Sequence, residues 1–192
     1  MQTDRQKEIV EVALDLIAKK GIQGLTIKNI SKEIGISEPA LYRHFESKTA
    51  ILLAILNNFK EMGAMLSEMM ETYDDTAFEK IKFMFSKMME MFTAQPSIIS
   101  VIFSEEIFKN EELLKDKIRE ILNLNQKTIE GIIEKGQEEN NVRVDIDKQN
   151  LALIMMGSLR LLVKRWDLNN YNFNLNEEGK KLINSLKLII SF

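Results

Sequence analysis

Apolar residues recur three and four positions apart along almost the whole of this chain, and no useful length alternates apolar and polar residues with period two. The first spacing is that of a helix burying one face; the second is that of a half-buried strand. The chain is therefore expected to be all-α, with about nine helices and no sheet. Only two of its 192 residues are proline and eight are glycine, too few to chop these runs into turns. A hydrophobic share of 45% supplies enough material for a core.

Capping signals divide the pattern into helices. Thr3 followed by Gln6 fits a capping box, and Val10, Ala13, Leu14 and Ile17 then share a face as far as Gly21. Thr26 is the expected cap of a second helix with Ile27, Ile30 and Ile34 inward, and Gly35 stands just past its end. Ser37 caps a third helix, in which Pro39 falls in the first turn, where a missing N–H costs nothing. Leu41 and Phe45, four apart, face inward. Ser47 opens a fourth helix from Lys48 to about Thr72, a rod of roughly 37 Å.

Thr76 with Glu79 starts the fifth helix, to about Thr93. Pro96 interrupts the chain, and a sixth helix runs through Ile98–Phe108. Asn110 caps the seventh, to about Glu139. Asp147 caps the eighth, Lys148–Asp167, and Leu175–Ile190 closes the chain. Three short helices with a glycine turn between the second and third describe a helix-turn-helix. The expected domains are residues 1–47, the helix-turn-helix, and residues 48–192, the helical remainder.

Several function classes drop out. With no cysteine there is no disulfide, thiolate or cysteine metal site. A di-iron carboxylate bundle wants two Glu-x-x-His pairs, and the single His44 cannot supply them. No Gly-rich phosphate loop, zinc-helix motif or Gly-x-Ser-x-Gly elbow occurs. Neither catalysis, nor a cofactor, nor a metal is expected. The N-terminus mixes acids and bases, unlike a signal peptide, and no apolar run approaches the roughly 18–20 residues that span a bilayer. The chain is expected to be soluble and cytoplasmic, with no membrane partner. Its formal net charge of −3 argues against wholesale coating of nucleic acid. Any DNA binding must come from a local face.

Such a face exists. With Leu41 and Phe45 inward, Glu38, Ala40, Tyr42, Arg43 and His44 point away from the core. Tyr42 and His44 can donate to phosphate, and Arg43 can supply charge or a base contact. Lys48 can pair with phosphate where the first turn of the fourth helix offers unbonded N–H groups. Residue types alone suit a merely solvated helix face equally well.

Residues 3–55 resemble the N-terminal domain of the tetracycline-repressor (TetR) family of regulators. The resemblance lies in the first-helix run, in GLTIKNISKEIGIS and in PALYRHFESKTAIL, with LYRHFESK the most specific string. The rest resembles that family's second half in helix count and order, and GSLRLLVKRWDLNN with the last helix is similar to its dimerisation helices. The resemblance implies phosphate contacts from Thr26, Tyr42, His44 and Lys48, and base-edge contacts at Lys28, Ser37, Glu38, Pro39 and Ala40. It implies a homodimer on a palindromic double-stranded operator, with half-sites about one helical turn, roughly 34–36 Å, apart. It also implies a two-state repressor released by a ligand, where a coupling of about 1–3 kcal/mol changes affinity 5–150-fold. An activator, or a DNA-binding dimer without a small-molecule effector, is the alternative.

Two stripes suit the dimer interface: Leu151, Ile154, Met155, Ser158, Leu162 and Trp166 on the eighth helix, and Leu182, Leu186 and Ile189, with Ile183 and Ile190, on the ninth. The same stripes would serve packing within one chain. Eight methionines lie between Met62 and Met91, interleaved with phenylalanines. Methionine suits a cavity that reshapes around an apolar guest, and suits an ordinary core as well. If a ligand site exists, Met62, Met65, Met69, Met88, Phe103 and Ile107 are expected around it, for an apolar or amphipathic effector. Glu105 or Glu106 is expected to pair with Arg160, or all three to be solvated; a buried arginine would need a partner.

Overall fold

The computed structural model describes residues 2–104 and 111–191. Its helices are α1 (Asp4–Lys20), α2 (Ile27–Ile34), α3 (Glu38–Tyr42), α4 (Lys48–Thr72), α5 (Ala77–Ala94), α6 (Ser97–Ile102), α7 (Glu112–Glu138), α8 (Lys148–Leu168) and α9 (Leu175–Ile190), with a 3-10 turn at Ile22–Gly24. Among the described residues there is no strand. Among the described residues no helix is long and apolar enough to cross a membrane. Packing groups the chain into two compact units, Met1–Glu61 with Pro96–Glu120, and Met62–Gln95 with Ile121–Phe192. The dividing points fall inside α4 and α7, so residues 48–61 and 96–120 group with the N-terminal helices, where one boundary after residue 47 was expected.

In the first unit α1 begins at the capping box that its sequence suggests: the Thr3 hydroxyl accepts from the Gln6 N–H at 3.3 Å, and the Gln6 side chain accepts from the Thr3 N–H at 3.0 Å. Its apolar face, from Ile9 to Ile17, is buried, and α2 and α6 pack on it. Each such Ile or Leu removed from water stabilises the fold by roughly 1.5–3 kcal/mol. Helix α6 contributes Ile98, Ile99, Val101 and Ile102, all buried. The first half of α4 adds Ile51, Leu52, Ile55 and Leu56.

Two helices are shorter than expected. Helix α3 ends at Tyr42, and Phe45 reaches the core from the turn that follows. Helix α6 ends at Ile102, where Phe103 leaves helical geometry (φ −106°, ψ 13°) while its N–H still bonds the Ile99 carbonyl. The expected cap Asn110 lies outside the described residues.

In the second unit α9 packs on both α5 and α8, and α5 also touches α8. Gly179 makes the α9–α5 approach possible: a Cβ there would stand 1.7 Å from the Met89 sulfur. Ser67 of α4 and Thr128 of α7 join hydroxyls at 3.0 Å. The Trp166 indole N–H donates to the Phe173 carbonyl at 2.8 Å and pins the α8–α9 loop, whose Asn170 and Tyr171 take positive φ. The α7–α8 loop is tied by Gln137, which donates to the Arg143 and Ile146 carbonyls, and by the Arg143 N–H on the Ile190 carbonyl.

Candidate nucleic-acid interface

Helices α2 and α3 are short, capped and joined by a tight turn. The Thr26 hydroxyl accepts from the Asn29 N–H at 3.1 Å, and the Asn29 side chain donates to the Gly24 carbonyl at 2.8 Å. Gly35 is left-handed (φ 78°, ψ 32°), and its own N–H and that of Ile36 both bond the Ser31 carbonyl at 3.0 Å. A side chain there would meet open space but would be held in a conformation that L-residues rarely adopt. The Ser37 hydroxyl accepts from the Ala40 N–H at 3.3 Å and starts α3.

Leu41 is fully buried and anchors α3. Around it Ser37, Glu38, Pro39, Tyr42 and Arg43 are exposed, while Ala40 and His44 are half-buried. Lys28 and Thr26 are exposed on α2. Tyr42 is 50% exposed, so its ring and hydroxyl are open to a partner outside the chain. The Gln6 amide donates to the His44 carbonyl at 3.1 Å, so α1 holds the end of α3. The Ser47 hydroxyl accepts from the Ala50 N–H at 3.1 Å and caps α4. Lys48 opens α4 with its ammonium turned toward the Ile22 carbonyl, a long bond of 3.4 Å. Two of its three N–H groups remain for a phosphate.

All ten residues expected to meet DNA thus fall on α2, α3, the turn between them, the turn after α3 and the start of α4, within the first unit. The expected interface and ligand residues of the C-terminal half fare differently. Leu151, Met155 and Trp166 are buried within the chain, as are Ile183, Leu186 and Ile190, so these positions form the inner face of α8 and α9. Leu162, Ser158 and Leu182 are half-buried, and only Ile154 and Ile189 are exposed. Missed by the sequence reading are Leu153, Leu161, Leu168 and Leu188, which are 63–80% exposed on the other face. The signal was there: Leu153, Gly157 and Leu161 stand four apart, a second stripe on α8.

Met62, Met65 and Met69 are exposed on α4. Met88 and Phe103 are half-buried, and Ile107 lies outside the described residues. The second unit does contain a cavity of about 220 Å³, lined by none of the five described residues among these six. Arg160 is exposed on α8, and Glu105 and Glu106, the carboxylates expected to pair with it, lie outside the described residues.

Comparison with known proteins fits this architecture. Residues 9–55 match the model of bacterial regulatory proteins of the tetR family, and residues 77–192 match the C-terminal region of MAATS-type transcriptional repressors. The "Fatty acid metabolism regulator protein" of Bacillus subtilis (strain 168) is 25% identical over 171 residues, covering 88% of this chain and 86% of that one. The "Probable acrEF/envCD operon repressor" of Escherichia coli (strain K12) is 19% identical over 185 residues, covering 94% and 84%. The crystal structure of the regulator FadR from Bacillus subtilis in complex with stearoyl-CoA shares the fold, with a TM-score of 0.81 at 20% identity over 94% of this chain and 96% of that one. The second family model alone covers more than half of the chain. This protein belongs to the tetR family and is a DNA-binding transcriptional regulator whose C-terminal region is of the MAATS repressor type.

Proposed function

We propose that the protein is a ligand-responsive repressor that binds a palindromic operator as a homodimer in the cytoplasm. The observation that carries the reading is the outer face of α3: a capped helix anchored by one buried leucine, presenting Glu38, Pro39, Tyr42 and Arg43 outward. Tyr42, His44, Thr26 and Lys48 are assigned to phosphates, which set register. Lys28, Ser37, Glu38, Pro39 and Ala40 are assigned to base edges, and Arg43 to either.

The homodimer is supported by the exposed leucines of α8 and α9. Large apolar side chains repeated along the exposed face of a helix mark an interaction site. Gly157 stands among them with open space where a Cβ would be, so another backbone could approach closely. The interface is therefore reassigned to Leu153, Ile154, Leu161, Leu168, Leu188 and Ile189. Repression is supported by the repressor type of the C-terminal region. An apolar or amphipathic effector is supported by the relative bound to stearoyl-CoA.

The test is fluorescence anisotropy of the purified protein on DNA upstream of its own coding region, against a shuffled duplex, across a salt series. The expected result is a preference for the native fragment that survives physiological salt, with release on adding stearoyl-CoA. Binding that fades equally for both duplexes as salt rises would mean phosphate attraction alone on that fragment. Specific binding indifferent to acyl-CoA and to a panel of apolar compounds would leave a dimeric regulator without this effector class.

A further inference from the structure

The cavity of the second unit lies among the last turns of α4, the first turns of α5 and the later half of α7. Its floor is apolar: Met70, Ala77 and Ile132 are buried, and Gly131 and Gly136 add no side chain. Lys80, Lys127 and Lys135 also line it.

These three lysines are unlike the others of the unit. Lys82, Lys87, Lys148, Lys164, Lys180 and Lys181 each pair with a carboxylate, and Lys187 lies over the Phe78 ring at 5.0 Å. Among the described residues of the unit, the lysines whose side chains make no ion pair, hydrogen bond or ring contact are the three at the cavity. Partners were within reach. Glu130 follows Lys127 by three residues yet accepts from Gln126 at 2.7 Å, and Glu139 follows Lys135 by four yet accepts from Asn141 at 2.9 Å. Of the acids lining the cavity, Asp75 accepts from the Thr76 N–H at 2.7 Å and Glu139 is engaged as stated, while Glu71 adds a third negative charge.

An ammonium group that forms no ion pair offers an anion N–H donors and gives up no existing bond when the anion arrives, although Glu71, Asp75 and Glu139 balance the charge of the lining. The apolar floor offers burial to a short hydrocarbon part. At about 220 Å³ the cavity is smaller than the roughly 300–1,000 Å³ of sites that enclose a drug-sized molecule. It therefore fits a small amphipath, or the end of a larger one. We infer that this cavity binds an amphipathic organic anion, a carboxylate or phosphate monoester, with its charged head among Lys80, Lys127 and Lys135 and its apolar part on Met70, Ala77 and Ile132. Regulatory use of the site rests on the effector reading above; its occupancy does not.

Calorimetric titration of the full chain, without DNA, tests occupancy with octanoate, octyl phosphate, inorganic phosphate and neutral octyl glucoside, all below micelle formation. Saturable binding of octanoate or octyl phosphate is expected, and which of the two binds tells the head chemistry. Lys127→Gln with Lys135→Gln should weaken it at least about tenfold. The unliganded melting temperature should hardly move, since both side chains are exposed and unpaired. Gly131→Leu, whose Cβ meets nothing within 4 Å, should fill the cavity and abolish binding in a folded protein. Equal binding of octyl glucoside, inorganic phosphate as tight as octyl phosphate, undiminished binding in both variants, or no binding of either octyl anion would each overturn the site. Operator release by stearoyl-CoA in a chain that fails these titrations would keep the effector reading and lose this cavity. Octanoate bound by a chain that ignores DNA would do the reverse.

Discussion

Glu120 stands between Lys117, three residues back on α7 at 2.6 Å, and Lys60 of α4, and these hold its carboxyl down at about 2. A folded-state value below the ordinary 4.5 means that the pairing contributes its full stability above the unfolded value. That contribution is lost as pH falls from about 4.5 toward 2. Glu120→Gln should therefore lower the melting temperature near neutral pH, with the gap from the native protein closing as pH 2 is approached. The gap should be small, because the site is solvent-screened. An equal gap at both ends of the range would remove the carboxylate from the explanation. Arg43 allows a cleaner experiment. If its guanidinium sits on a phosphate, Arg43→Ala weakens all duplexes alike and reduces the slope of log affinity against log salt by about one. If it reads a base edge, the loss is confined to the native operator and is about 1–3 kcal/mol.

Among the helices, the tightest fit lies where α9 crosses α5. Gly179→Val would drive a branched side chain into Met89, which is 1% exposed and has little room to retreat. Overpacking of this kind costs about 1–3 kcal/mol, read as a lower denaturant midpoint, and adding Met89→Ala should restore part of it. The helices also show what a sequence reveals. Thr3, Thr26, Ser37, Thr76 and Asp147 all cap where the sequence places them, because a cap bonds a backbone N–H within three residues. The end of α6 was not legible, since nothing local halts Ser-Ile-Ile-Ser-Val-Ile-Phe; its end lies in the backbone turn at Phe103. Nor could a stripe on α8 say whose surface it meets. Leu151, Met155 and Trp166 keep helical spacing and so do Leu153, Leu161 and Leu168; only the fold decides that the first set is spent inside the chain. The methionines of α4 divide in the same way: Met70 is buried and its neighbour Met69 is not.

For the whole molecule the decisive property is association. Leu161→Glu with Leu188→Glu places two charges on the proposed two-fold interface while leaving the buried face untouched. The variant should sediment as a monomer, keep its helical circular dichroism and lose most operator affinity, because one α3 reads only half of a palindrome. A dimer that survives the double change would move the interface elsewhere. The helix-turn-helix face was the most legible part of the site, since Gly35, Ser37 and Leu41 fix it locally. The cavity was the least, because Lys80 on α5 and Lys127 and Lys135 on α7 are far apart in the sequence and only the fold brings them together.

The division of the chain also bears on how such proteins diversify. Each unit is assembled from two separate segments, and the chain passes from one to the other three times, after Glu61, Gln95 and Glu120. Two of those crossings lie in mid-helix, at α4 and α7. A gene recombining once with a relative's between the positions of Glu61 and Gln95 would therefore join α1 to an α6 it did not evolve beside, and one recombining after Glu120 would split the second unit instead. No single junction exchanges one unit whole for a relative's, so substitution in place is the favoured route to new combinations of the two.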